Sequence, residues 1–339
     1  MSMPTAFRQP QFRVTVNARC GRACFFCRPS GEAVATKAAA ELTPDEIVAV
    51  AASVYRAGIT NVKLTGGDPA LYGPLEEVVW RLRHEVGMAD IELISRHPRI
   101  GTRAHDLADA GVTLFNMSID SLDPELHHEI CGVDDLEQVL EALGKCIATG
   151  VPCKVNTVVM RSINDHEIAG LIAECRRIGV HTLKLLDVIT DLHTGGESFA
   201  GRLAIRRKTH LPELYKPLGV MLDDLKRQAD KVSRRTQGEL GHPMTVLHFS
   251  DGFEVVFKDS REGAWYGDIC KDCAFFPCHD ALMALRLTSD ARLQFCLLRD
   301  EIAIDLAPIT AKPQADLDTL VHRAISEYSS AYFRKTSDG

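Results

Sequence analysis

The sequence has no apolar run approaching the ~18 residues of a membrane span, and aromatic residues make up only 6% of its 339 positions, with 2 tryptophans. It also lacks an excess of positive charge. Lys and Arg total 39 against 46 Asp and Glu, a formal net charge of -7, so no overall basic field recruits nucleic acid or an anionic membrane. The opening Met1-Ser2-Met3-Pro4-Thr5 has no apolar stretch of the kind a secretion signal carries, and the expected address is the cytoplasm. No internal repeat or low-complexity segment is present. The apolar share of 45% and charged share of 25% are those of a globular protein, which excludes a disordered chain, a collagen-like repeat and a small disulfide scaffold. The length suits two average domains or one α/β barrel with an appendage.

Cysteine is the residue in excess, with 11 copies. In a reducing compartment these are not expected to form structural disulfides. Cys131, Cys146, Cys153 and Cys175 lie singly in apolar-periodic segments and are expected to act as small buried hydrophobes. Cys20, Cys24 and Cys27 form one group, and Cys270, Cys273, Cys278 and Cys296 another. Clustered cytosolic thiols point to metal.

From residue 12 to about 186, β-rich runs alternate with helical patterns. Strands are expected at Phe12–Val16, Asn61–Thr65, Ile91–Ile94, Thr113–Ser118, Lys154–Val159 and Thr182–Leu186. Thr43-Pro44-Asp45-Glu46 has the pattern of a capping box opening a helix that stops at Gly58, and a second helix is expected from Asn164-Asp165 to Gly179. Successive βα units predict a parallel sheet with right-handed crossovers, as a partial (β/α)6 barrel of TIM type or an open doubly wound sheet. Either places ligands at the carboxyl ends of the strands. The expected division is a barrel over residues 1–190 and a C-terminal region over 191–339. That region contains Gly195-Gly196, a basic patch (Arg202, Arg206, Arg207, Lys208) read as a solvated face, and a helix near Leu211–Gln228. A hairpin of Met244–Phe249 and Phe253–Phe257, and a final helix at about Gln314–Tyr328 before a fraying polar tail, complete it.

Cys20-x3-Cys24-x2-Cys27 falls in the loop after the first strand. Three thiolates on a [4Fe–4S] cube leave one iron without a protein ligand, and an amine and carboxylate can chelate it. Such a cluster can inject an electron into a neighbouring sulfonium. Zinc would need a fourth ligand from elsewhere, and the loop has no histidine. Thr65-Gly66-Gly67-Asp68-Pro69 follows the second strand, where paired glycines let a ligand approach main-chain carbonyls and Asp68 can accept from an ammonium group. Ser95 and Ser118 end the third and fourth strands, where Ser118 could bond a ribose.

Cys20-Gly21-Arg22-Ala23-Cys24-Phe25-Phe26-Cys27 together with Leu64-Thr65-Gly66-Gly67-Asp68-Pro69 resembles the radical S-adenosylmethionine (radical SAM) superfamily. Asn116-Met117-Ser118-Ile119-Asp120-Ser121-Leu122-Asp123 and Lys154-Val155-Asn156-Thr157-Val158-Val159 are similar to its MoaA-type branch, whose namesake cyclises GTP in molybdenum-cofactor synthesis. The resemblance implies a partial TIM barrel whose cluster, on Cys20, Cys24 and Cys27, binds S-adenosylmethionine (SAM) through the free iron. Gly66, Gly67 and Asp68 would hold the SAM amine, with Asp68 in place of the commoner Glu. Ser95 and Ser118 would lie near its methionine or ribose, and Phe26 near its adenine. It also implies reductive cleavage of SAM to a 5′-deoxyadenosyl radical that takes a hydrogen from a small-molecule or peptide substrate, and an electron donor such as flavodoxin or ferredoxin.

Leu285-Arg286-Leu287-Thr288-Ser289-Asp290 with Cys296-Leu297 is similar to the branch's C-terminal signature, in which three cysteines hold a second [4Fe–4S] cluster whose open iron binds substrate. This chain has an additional cysteine. Cys278 closes the cluster as a fourth ligand or replaces Cys273, and four thiols also suit structural zinc. Arg13, Lys154, Lys184 and Arg286 are the expected substrate cations. Tyr72-Gly73 and Ala284 stand where the GTP cyclase has basic residues, and its Gly-Gly tail has no counterpart in Thr336-Ser337-Asp338-Gly339. The expectation is therefore a MoaA-like paralogue, with GTP 3',8-cyclisation and a zinc-stabilised, non-catalytic binding protein as alternatives.

Overall fold

The computed structural model describes residues 8–22, 24, 26–27, 41–188, 211–236, 240–278, 281–299 and 301–335. Six strands follow one another as expected: β1 (Gln11–Thr15), β2 (Asn61–Thr65), β3 (Asp90–Ser95), β4 (Leu114–Ser118), β5 (Cys153–Val159) and β6 (Thr182–Asp187). All neighbouring pairs among them are parallel. Helices α1 (Pro44–Arg56), α2 (Leu75–Arg81), α3 (Arg99–Ala110), α4 (Pro124–Cys131), α5 (Leu136–Ala148) and α6 (Ile168–Ile178) supply the crossovers. The Thr43 capping box is formed, with Pro44 in the first turn.

The C-terminal region lengthens this sheet at both edges. The hairpin of β8 (Pro243–His248) and β9 (Glu254–Lys258) adds β9 parallel to β6, and β7 (Lys231–Thr236) pairs with β8. At the other edge β11 (Ala284–Leu287) lies parallel to β1, followed outward by β12 (Arg292–Gln294) and β13 (Ala303–Asp305). The result is an open 12-stranded run in the order β13-β12-β11-β1-β2-β3-β4-β5-β6-β9-β8-β7.

Each parallel strand alternates. Phe12 and Val14, Val62 and Leu64, Ile91 and Leu93, Phe115 and Met117, and Leu183 and Leu185 belong to the main apolar core. The residues between them, Arg13, Lys63, Glu92, Asn116 and Lys184, are polar yet buried. A period of 2 puts these on the opposite face of the sheet, so helices cover an apolar exterior and the barrel interior is charged.

Four local expectations are corrected. α6 begins at Ile168, because the Asn164 side chain is used elsewhere, its Nδ2 donating to the carbonyls of Asp120 and Val158. The helix near Leu211–Gln228 is broken into a 3-10 turn (Leu211–Leu214) and the helix Gly219–Lys226, since Pro217 lacks the N–H an uninterrupted helix needs. Beyond the final helix (Gln314–Ser326), Tyr332–Arg334 pairs with Ala264–Tyr266, so the end of the chain is held at least to residue 334. Cys146, Cys153 and Cys175 pack in the main core, whereas the buried Cys131 thiol meets His127 Nε2 at 3.3 Å. Gly195-Gly196 and the Arg202/Arg206/Arg207/Lys208 patch lie outside the described residues.

Thr43→Ala removes the acceptor for the Glu46 N–H at the start of α1. A loss of about 1 kcal/mol in urea unfolding is expected, with iron content unchanged. A stability equal to wild type would show that the cap contributes nothing to this helix.

Candidate active site

The loop leaving β1 is fastened to the turn after β2 by main-chain hydrogen bonds. Gly67 N–H donates to the Asn17 carbonyl at 2.8 Å, Asp68 N–H to the Arg19 carbonyl at 2.6 Å, and Asn17 Nδ2 to the Asp68 carbonyl at 3.1 Å. The two glycines are required by this docking. A Cβ on Gly66 would lie 2.9 Å from the Asn17 carbonyl oxygen, and one on Gly67 2.3 Å from that of Arg19. The close approach read from the paired glycines is thus made by the thiol-bearing loop itself.

Asp68 is buried and has four protein donors. Its Oδ1 accepts from Ala70 N–H at 3.0 Å and Ser95 Oγ at 2.6 Å, and its Oδ2 from the N–H groups of Arg96 (2.9 Å) and His97 (3.1 Å). The carboxylate expected to receive an ammonium group, and the Ser95 hydroxyl, here lock the ends of β2 and β3 together. Asp120 does the same beyond β4. Its Oδ2 accepts from Arg96 Nη2 at 2.8 Å and its Oδ1 from Val158 N–H at 2.9 Å. Arg96 also lies over the Phe26 ring, 5.6 Å from its centroid.

These residues rim a cavity of about 260 Å³ at the carboxyl ends of the strands. Cys20, Cys24, Phe26, Cys27, Gly66, Gly67, Asp68, Ser95, Ser118, Arg13, Lys154 and Lys184 all line it. Arg286 does not: it is fully buried on β11, in register with Arg13 on the same face. Burial pushes the Cys24 thiol up to about 12 against the pull of Arg96, and burial followed by Asp68 raises Cys20. Any metal or cluster bound by these thiols would displace their protons. Among the described residues, the trio of His, Cys, Asp or Glu ligand atoms lying within 4.8 Å of one another is His127/Cys131/Asp135, not the three loop thiols.

That other trio steadies the loop. Arg22, between Cys20 and Cys24, is buried in an ion pair with Asp135, whose Oδ1 is 3.0 Å from His127 Nε2. A guanidinium already neutralises the carboxylate, which argues against a cation there.

Beneath the cavity stands a charged layer. Glu92, buried, pairs with Lys63 Nζ at 2.7 Å and with Lys154, and its Oε1 accepts from Asn116 Nδ2 at 2.6 Å. Burial would raise its carboxyl, but Lys63 and Lys154 hold it well below the usual range. Burial brings Lys63 down to about 8, and burial together with Lys154, Lys63 and Lys258 holds Lys184 well below its ordinary value. Asn116 and Asn156 line the same cavity, and among the described residues their buried amide oxygens have no hydrogen-bond partner. Sequence reasoning missed Lys63, Glu92, Arg96, Asn156 and Lys258 as site residues. The alternation of charge with apolar residues within the strands was the available signal.

Cys270, Cys273, Cys278 and Cys296 line a second, small cavity of about 20 Å³ with Tyr266, Phe276 and Arg299. Gln294 on antiparallel β12 faces Arg286, so Cys296, two residues on, lies toward the amino end of β11, where Ala284 pairs with Gln11. The loop thiols follow the carboxyl end of β1. The two thiol groups therefore occupy opposite ends of the parallel sheet.

The family model described as "Radical SAM superfamily" matches residues 14–175. A protein of Sulfurisphaera tokodaii described as "Probable GTP 3',8-cyclase" is 30% identical over 298 residues, 88% of this chain and 84% of its own length. A "GTP 3',8-cyclase" of Klebsiella pneumoniae is 27% identical over 334 residues, 95% of this chain and 90% of its own. Among solved structures, "Native anSMEcpe with bound AdoMet" aligns with a TM-score of 0.58 at 14% identity, covering 91% of this chain and 79% of that one. Streptococcus suis SuiB bound to its precursor peptide SuiA aligns with a TM-score of 0.57 at 12% identity, covering 92% of this chain and 64% of that longer one. These structural likenesses show a shared fold.

Gly67→Ala sets a methyl group against the Arg19 carbonyl and is expected to unseat the thiol loop. Iron and acid-labile sulfide after anaerobic reconstitution should fall to the share held by the C-terminal thiols, with circular dichroism unchanged. Full loading would mean that the loop adjusts.

Proposed function

The chain belongs to the radical SAM superfamily, and from that premise we propose that this radical SAM enzyme acts on a phosphorylated, nucleotide-like anion held in the barrel interior. Its [4Fe–4S] cluster supplies, when bound, the electron that cleaves SAM to methionine and a 5′-deoxyadenosyl radical, which takes a hydrogen atom from the substrate. Cys20, Cys24 and Cys27 are the proposed ligands of that cluster. The main chain at Gly66 and Gly67 is proposed to receive the SAM amine, because the Asp68 carboxylate already accepts four protein hydrogen bonds. Ser118 and the Asn156 amide, on adjacent strands in register, are proposed for the ribose, and Phe26 for the adenine edge.

The observation that carries the substrate class is the shared cavity. The loop thiols, Asn116, Asn156, Arg13, Lys63, Lys154 and Lys184 all line one space. Phosphate oxygens satisfy clustered buried cations through charge-assisted hydrogen bonds, while amide oxygens accept from base or sugar donors. Expulsion of water from this chamber strengthens both and protects the radical.

GTP 3',8-cyclisation is the second reading, favoured by the names of relatives that match over most of the chain. Ala284 in place of a basic residue counts against it. The C-terminal thiols are proposed to hold an auxiliary [4Fe–4S] cluster. A reductant is needed to start the cycle. Among the described residues no helix is long and apolar enough to cross a membrane.

Anaerobic protein with SAM and dithionite should release 5′-deoxyadenosine, and Cys20→Ala should abolish that release. Persistence in the variant would overturn the assignment of the loop. With GTP present, a cyclised isomer detected by mass spectrometry would select the second reading. A pH series gives a separate check on the cations. Burial lowers the proton affinity of Lys63 and Lys184, and a bound anion restores it. Binding therefore takes up protons, and GTP affinity measured calorimetrically should weaken above pH ~8 by up to about tenfold per pH unit for each lysine that takes one up. A flat profile between pH ~8 and ~10 would exclude these lysines from the anion site.

A further inference from the structure

The second thiol group has one member more than a cluster with a vacant iron can use. We propose that Cys270, Cys273, Cys278 and Cys296 together complete the coordination of the auxiliary [4Fe–4S] cluster, leaving it no open iron, so that the substrate is held by the interior cations alone. The inference rests on the proposed reading that these thiols bind a cluster, and it changes what that cluster can do.

Cys278 is placed as a ligand and not as a spectator. Its Sγ accepts from the Ala281 N–H at 3.4 Å, just as Cys296 Sγ accepts from the Leu298 N–H at 3.3 Å. Main-chain donors of this kind stabilise thiolates and tune the clusters they hold. All four thiols line the same cavity, and Arg299 brings positive charge beside Cys273 and Cys296. Around them stand Tyr266, Ile269, Phe276, Leu282 and Ile302. This lining offers a nucleotide little to bond with. Among the described residues, none lines both this cavity and either cavity of the barrel.

The test uses the full chain carrying Cys20→Ala, Cys24→Ala and Cys27→Ala, so that iron reports on the C-terminal site. A site with an open iron responds to ferricyanide by giving up one electron and one Fe2+, which converts [4Fe–4S]2+ to [3Fe–4S]+ with its own EPR signal. With Cys278 intact, four irons per cluster should survive mild oxidation without that signal, and added GTP should leave the spectrum of the reduced cluster unchanged. Adding Cys278→Ala should produce the three-iron signal and the loss of one iron, with Cys278→Ser as the substitute if the alanine variant does not load.

A three-iron signal with Cys278 intact would overturn the proposal, as would a GTP-dependent spectrum, an oxidation-resistant four-iron cluster in the Cys278→Ala variant, or a Cys278→Ser cluster, in which oxygen would replace sulfur on one iron, whose spectrum equals that with Cys278 intact. Zinc bound at these thiols in place of iron would instead overturn the cluster reading on which it rests.

Discussion

One buried carboxylate governs the interior of this barrel. Glu92 lies between Lys63 and Lys154 with Asn116 donating to it, while Arg13, Lys184, Lys258 and Arg286 are also buried on the inward face of their strands. Removing an ion from water costs several kcal/mol even after relaxation. Burial and the neighbouring cations together drive Lys63 and Lys184 toward loss of their protons. A bound anion opposes that shift by pairing. The cost of burying these cations and the proposed preference for a negatively charged substrate are thus one phenomenon.

The architecture places that charge where it can be used. A strand buried on both faces is ordinarily apolar throughout. Here the outward residues carry the core, and the inward residues are free to be chemical. Main-chain bonds dock the thiol loop against the β2 turn. Asp68 and Asp120 then fasten the ends of β2, β3, β4 and β5 to one another. These carboxylates hold a rim rigid over the charged layer, so that bound groups meet fixed partners.

Much of this was legible in the sequence. Six strands, the Thr43 cap and the thiol loop after the first strand follow from short-range patterns, and each is formed within a residue or two of its expected place. What escaped was long-range. Arg22 reaches Asp135 across 113 positions and Asp68 reaches Ser95 across 27, and nothing local marks such partners. A glycine pair reads equally well as room for a ligand or as room for a loop, and only docking distances show that the Asn17 and Arg19 carbonyls fill it. Lys63 and Glu92 each stand between apolar neighbours in a period-2 pattern, the local mark of an inward-facing charge, whereas Lys258 is followed by Asp259 and Ser260 and carries no such mark.

The two ends of the barrel now carry different obligations. At the carboxyl ends, the three thiols proposed as cluster ligands would leave an iron able to accept a ligand, and the amides and cations beneath them line the same cavity. At the amino end of β11, four thiols sit in apolar surroundings with no lining residue in common with that cavity among those described. Ala284 belongs to this end: its carbonyl accepts from the Tyr328 hydroxyl at 2.8 Å, and its short side chain adds no charge. A substrate anchored at the far end would need a donor set there, and this chain has replaced polar reach with sulfur and aromatic packing. On the proposed reading, recognition falls to the interior layer, where Arg13, Lys63, Lys154 and Lys184 would select for negative charge and Asn116 and Asn156 for hydrogen-bonding groups. The chamber would then discriminate by electrostatics and amide geometry, with coordination chemistry confined to the carboxyl ends of the strands.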